Sequence, residues 1–150
     1  MQYITNKEGI TVDDTLNILN KKSGMQALSS VSSDFRDIEK AYNEGNENAI
    51  LAMKAYIHRL VKYIGAYNTI LKGTDAIVFT AGVGENGPMV RRMVCEYLEF
   101  LGVKIDEEKN LNTFGKQEVL STPDSTIKVA VIPTNEELAI ARDTLHFVQQ

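Results

Sequence analysis

Residues 75–92, DAIVFTAGVGENGPMVRR, restrict the possible folds more than any other stretch. Ala76–Phe79 is a short apolar run with β-branched and aromatic side chains on both faces. Such a run suits a strand covered on both sides, as in a parallel sheet. Gly82, Gly84 and Gly87 follow, and then Pro88. Proline lacks an N–H and is welcome only in a helix's first turn, best at its first position. The stretch therefore predicts a strand, a glycine turn with Asn86 and Gly87 as the helix entry, and a helix that starts at Pro88. Val90, Met93, Val94, Tyr97, Leu98 and Leu101 would form that helix's apolar face. A strand handing over to a helix through glycines is an α/β signature.

The same glycines also spell G-x-G-x-x-G, the dinucleotide-binding fingerprint. In that motif the third glycine already lies inside the helix. Pro88 would then fall within the early helix, at a cost of ~3 kcal/mol in a helix interior. Helical segments also precede the glycines here, whereas such a domain normally opens on strands. Asp106 nearly matches the ribose-binding acid expected about 20 residues on, which shows how little the fingerprint discriminates. These observations weigh against a nicotinamide or flavin site. No G-K-[ST] follows, so the turn is not a P-loop.

Two readings of the glycines stay open. Ligands bind at the carboxyl ends of strands in open α/β sheets. Gly82 and Gly84 would clear room there for a flat base or a ribose, and the next helix would offer free N–H groups. Asn86 would cap that helix or meet the ligand. Equally, a tight strand-to-helix turn needs small residues for its own sake.

Elsewhere the chain is helical until residue 71. Thr11 with Asp14 resembles a capping box for a helix over 12–22. Residues 26–33 are expected to be a loop rich in small hydroxyl residues. Asp34 or Ser33 caps a second helix to Gly45. Asn46 opens the longest helix, 47–71, where Ile50, Ile57, Ile64 and Leu71 interleave with Met53, Leu60 and Tyr67. That stripe predicts a central helix buried against a sheet, with a dimer seam as the alternative. GVKI (102–105) is a candidate short strand, and 106–125 is polar with turn residues. TIKVAVI (126–132) predicts a second buried strand. Thr134 with Glu137 predicts a capping box for a last helix, with Leu138, Ala141, Leu145 and Val148 on one face.

The bulk properties allow one ordinary domain with a real core, at 150 residues and 43% apolar content. A net charge of −4 without any basic block argues against nucleic acid. The apolar runs are too short to span a membrane, and no secretory signal is expected from the first residues. A cytoplasmic, reduced protein follows as the expectation. Cys95 is alone, which excludes an internal disulfide or a cysteine metal site, and is expected to be inert. His58 and His146 have no second ligand at metal spacing.

NKKSG (20–24), VSSDFRDIEKA (31–41), KYIGAY (62–67), DAIVFTAGVGEN (75–86), EFLGVKIDEEKN (99–110) and VIPTNEELAIARDT (131–144) together resemble the carboxyl-terminal part of the acetate kinases. Propionate and butyrate kinases share parts of the pattern. The resemblance implies an α/β fold, a partial ribonuclease H-like lobe of the actin-like ATPase superfamily, helix-rich with a few core strands. Residues 1–150 would be one incomplete nucleotide-binding lobe. The implied activity is transfer of the γ-phosphoryl of ATP to acetate, giving acetyl phosphate and ADP with Mg²⁺, in a homodimer. Asp34, Phe35 and Arg36 would line the adenine and ribose side, and Gly82, Val83, Gly84, Glu85 and Asn86 the adenosine loop. Glu136 would serve the magnesium. The physical support is uneven. Asp34 is as simply a helix cap, and Arg36 opposes the dipole of its helix, so another reason for it is expected. Glu137 would take the capping box, which leaves Glu136 without a structural task. No phosphate loop or arginine motif of that family is present, so these residues alone are expected to be inactive. A non-catalytic remnant that folds and dimerises is the alternative.

Overall fold

A computed structural model describes residues 1–149, which divide into two compact units, residues 1–63 and Ile64 onward. Among these residues no helix is long and apolar enough to cross a membrane.

The first unit is helical: α1 (Gln2–Glu8), α2 (Val12–Lys21), α3 (Met25–Ser29), α4 (Phe35–Asn43) and the start of α5 (Glu47–Leu71). Local side chains set most of the starts. Thr11 caps α2 by accepting from the Asp14 N–H at 3.1 Å, Asp34 caps α4, and the Asn46 side chain accepts from the Ala49 N–H. Two helices were not expected. α1 ends at Gly9 in the left-handed conformation, and α3 occupies much of the expected loop 26–33. There the buried Ser29 hydroxyl, just at the end of α3, accepts from the N–H groups of Val31 and Ser32.

Ile38 and Ala41 of α4, with Ala49, Ala52, Met53 and Ile57 of α5, form this unit's buried apolar core. The stripe along α5 is thus buried only in its first half. Tyr67 and Leu71 are 60% and 67% exposed, so the expected helix buried along its whole length does not form.

The second unit holds a three-stranded sheet of β1 (Ala76–Phe79), β2 (Glu118–Val119) and β3 (Lys128–Val131), in the order β1-β3-β2. β3 is central and parallel to β1, with Ala76 opposite Lys128 and Phe79 opposite Val131; β2 runs antiparallel to it. Val129 and Val131 are fully buried, as expected of residues 126–132. β1 departs from expectation. Val78 is 48% exposed, so the strand is not covered on both faces. Its outer edge pairs with no strand among the described residues.

Helices α6 (Ala81–Asn86), α7 (Pro88–Tyr97), a 3₁₀ turn (Glu99–Leu101), α8 (Glu107–Leu111) and α9 (Glu136–Val148) complete this unit. Pro88 stands at the first position of α7 as expected. Met89, Val90, Met93, Val94 and Leu98 bury that helix's apolar face. GVKI makes only an isolated bridge between Ile105 and Ser121, and the polar stretch after it contains α8, capped by Asp106. The apolar face of α9 is exposed throughout.

Candidate functional site

Parallel pairing sets the carboxyl ends of β1 and β3 side by side. The residues that follow each strand line a cleft of ≈ 380 Å³: Ala81, Gly82 and Glu85 from one, Thr134, Asn135, Glu136 and Glu137 from the other. Three hydrogen bonds tie the two walls. The Thr80 and Thr134 hydroxyls lie 2.7 Å apart. The Ala81 N–H donates to the Thr134 hydroxyl at 3.2 Å. The Thr134 N–H donates to Oε1 of Glu85 at 2.7 Å. Ala81 itself is left-handed, at φ 57°, a conformation that costs a residue with a side chain.

Thr134 is therefore not the cap of the last helix. Asn135 is, accepting from the Leu138 N–H at 3.0 Å. The expected box between Thr134 and Glu137 is replaced because the Thr134 hydroxyl is engaged across the cleft. Glu136 and Glu137 occupy the first turn of α9, where carboxylates complement the helix dipole.

The expected glycine turn is a helix. α6 begins at Ala81 and runs through Asn86, so the chain is already helical where an open loop was expected. Its glycines have separate tasks. A side chain on Gly82 would meet nothing, so this position opens onto the cleft. A Cβ on Gly84 would lie 3.2 Å from the Phe79 carbonyl carbon; the space cleared there is filled by the end of β1, not left for a ligand. A Cβ on Gly87 would sit 2.5 Å from the Val83 carbonyl oxygen, so the break between α6 and α7 requires glycine. Val83 and Asn86 do not line the cleft, and the Asn86 amide donates back to the Gly82 carbonyl at 3.2 Å.

Six residues with two glycines make a poor helix on propensity. Arg91, a residue the sequence did not single out, explains how it forms. Its side chain is wholly buried. Nη1 donates to the carbonyls of Gly84 and Glu85 at 2.8 and 2.9 Å. Nη2 donates to those of Asn110 and Thr113, both at 2.8 Å, and Nε to the Asn110 side chain at 2.8 Å. Burial pulls the guanidinium below its ordinary pKa. One clue was available in MVRRMVC. Arg92 finds Glu96 four residues on, whereas the same step from Arg91 reaches only Cys95.

Asp34, Phe35 and Arg36 lie in the first unit. Arg36 folds back on the cap of its own helix, with Nη2 2.6 Å from Oδ2 of Asp34 and Nε bonded to both carboxylate oxygens. That bond pulls the Asp34 carboxyl down to about 2. The ion pair answers the unfavourable place of Arg36 in the helix dipole, and its side chain remains 90% exposed. Phe35 packs edge-on against Tyr56, ring centres 4.6 Å apart.

No cluster of three or more His, Cys, Asp or Glu suited to a metal occurs among the described residues. Glu85 is committed to the Thr134 N–H, which leaves Glu136 and Glu137 as the further carboxylates on the cleft. Such a set suits Mg²⁺, which keeps most of its waters and takes one or two carboxylates together with phosphate oxygens. It does not suit a metal caged by protein alone. Cys95 is buried, and burial raises its thiol to about 12.

Residues 1–142 match the model of the acetokinase family. The acetate kinase of Agathobacter rectalis is 54% identical over 99% of this chain, and that stretch is 37% of its own length. The crystal structure of Porphyromonas gingivalis acetate kinase superimposes with a TM-score of 0.84 at 44% identity, over 98% of this chain and 37% of that one. A propionate kinase from Francisella tularensis gives 0.80 at 34% identity, over 93% of this chain and 35% of its own. The chain thus spans little more than a third of the relatives it matches. With these neighbours it shares a helix-rich α/β build of the actin-like ATPase type, with a small mixed sheet. Sequence likeness across almost every residue and matching backbones lead to one assignment: the chain belongs to the acetokinase family.

Proposed function

We propose that residues 1–150 are the adenosine-nucleotide-binding part of a cytoplasmic, homodimeric kinase that transfers the γ-phosphoryl of ATP to acetate, giving acetyl phosphate and ADP. The cleft carries this reading. It lies at the carboxyl ends of two parallel strands, where α/β sheets bind ligands, and Gly82 leaves its wall open. The start of α9 lines the cleft, and a helix N-terminus favours anionic ligand atoms. Glu136 would hold Mg²⁺ through its waters, and the metal would neutralise phosphate charge when bound. Gly82 and Glu85 meet the nucleotide directly in this reading. Val83, Gly84 and Asn86 shape the wall; for Asp34, Phe35 and Arg36, which lie in the other unit, a role on the adenine and ribose side is proposed from the family resemblance alone.

Phosphoryl transfer depends on positive charge placed around the moving group. Among the described residues, none that lines the cleft is basic. These 150 residues alone are therefore expected to bind nucleotide and to transfer nothing. The Francisella neighbour favours propionate as a second acceptor. Comparing kcat/KM for acetate and propionate in the protein that carries this chain decides between the acids.

Calorimetric titration with Mg·ADP tests the binding. Heat is expected from the wild type and none from Gly82→Trp, whose indole would occupy the open wall. Absence of heat from the wild type at millimolar nucleotide would leave a dimerising remnant as the surviving reading.

A further inference from the structure

We propose that Arg91 is a positioning residue for the cleft, setting the place of α6 and through it Gly82 and Glu85; its link to ligand binding rests on the nucleotide reading above. α6 has no side-chain hydrogen bond from its own N-cap residue, Thr80, and little helix propensity, so its place is fixed largely from outside. At its start the Thr134 hydroxyl holds the Ala81 N–H. At its end Arg91 holds the carbonyls of Gly84 and Glu85, the pole of a helix that favours a cation.

The same guanidinium reaches the end of α8 through Asn110 and the Thr113 carbonyl just beyond it. Asn110, also buried, donates in turn to the Pro88 carbonyl at 2.9 Å, where α7 begins. All five N–H donors of Arg91 are used, four of them on main-chain carbonyls. Three helix ends are thereby locked to one side chain. Glu85 then projects from the last turns of α6 to hold the Thr134 N–H on the opposite wall. The chain of contacts runs from Arg91 to Glu85 to Thr134, and so to both sides of the cleft. Lysine cannot replace this arrangement, because a compact ammonium with three donors does not reproduce a planar fork of five.

Native-state hydrogen exchange on Arg91→Lys tests the inference. Exchange at the amides of Glu85, Asn86 and Thr134 is expected to quicken by about tenfold or more relative to the amides of β3. A uniform change across α6 and β3 would overturn the proposal and leave Arg91 as ordinary core. Should Arg91→Lys fail to fold, Asn110→Ala removes one acceptor from the same network and is read in the same way. Mg·ADP titration of the folded variant is expected to show weaker affinity with unchanged stoichiometry, and unchanged affinity would overturn the link to binding. If the wild type itself gives no heat, the nucleotide reading fails, while exchange still decides whether Arg91 positions α6.

Discussion

Two glycines, two positions apart, are expected to behave in opposite ways when given a methyl group. Gly82 opens onto free space within a helix, so Gly82→Ala should raise stability by roughly 0.5–1 kcal/mol through restricted backbone freedom. Gly84→Ala forces a contact with the Phe79 main chain and should cost about 1–3 kcal/mol. Urea melts of the two variants check the pair. The glycine spacing was legible in the sequence; the division of labour was not, because it depends on which neighbour each missing side chain would meet. Cys95 supplies a second test. Burial lifts its thiol from 9.0 to about 12, so the folded chain keeps a proton that the unfolded chain releases. Its contribution to stability is complete below pH 9 and declines as pH rises towards 12. Alkylation at pH 8 should be negligible in native protein and rapid in denaturant.

Helix starts show what local sequence can and cannot specify. Thr11, Asp34 and Asn46 each bond a backbone N–H two or three residues away, and Pro88 sits at the first position of α7. Each of these signals is complete within a few residues, so each was readable. Thr134 misled because its hydroxyl has a stronger claim across the cleft, and Asn135 took over the cap. Asn135→Ala should therefore cost about 1 kcal/mol and fray the first turn of α9. Thr134→Val should leave that turn intact and loosen Ala81 instead. Amide exchange at Leu138 and Ala81 separates the two effects. α6 was illegible for the complementary reason: Arg91, which fixes its end, lies beyond the segment and acts through long-range carbonyl contacts. The exposure of Val78 was hidden as well, since an apolar strand does not disclose which of its faces is covered.

At the scale of the molecule, a large apolar area faces water. Tyr63, Tyr67, Ile70 and Leu71 of α5 are exposed, as are Ile140, Leu145, Phe147 and Val148 of α9. Exposed large apolar residues that recur along a helix are a feature of association surfaces. Sedimentation velocity is expected to show dimers at micromolar concentration that Leu145→Glu or Ile70→Glu disperses; a monomer at all concentrations would refute the homodimer. Along the α5 stripe Met53 and Ile57 face the core, and Tyr67 and Leu71 at its exposed end are the part that the same spacing would allow as a seam for a second copy.

Ala81 turns the main chain from β1 into α6 in a conformation that glycine would adopt freely. The bend is consequently held by its surroundings and not by its own residue, with the Thr134 hydroxyl as its nearest restraint. A guest molecule that drew that hydroxyl away would do more than fill space: it would release a bent spring at the root of α6, and occupancy would be felt as a change in the path of the polypeptide.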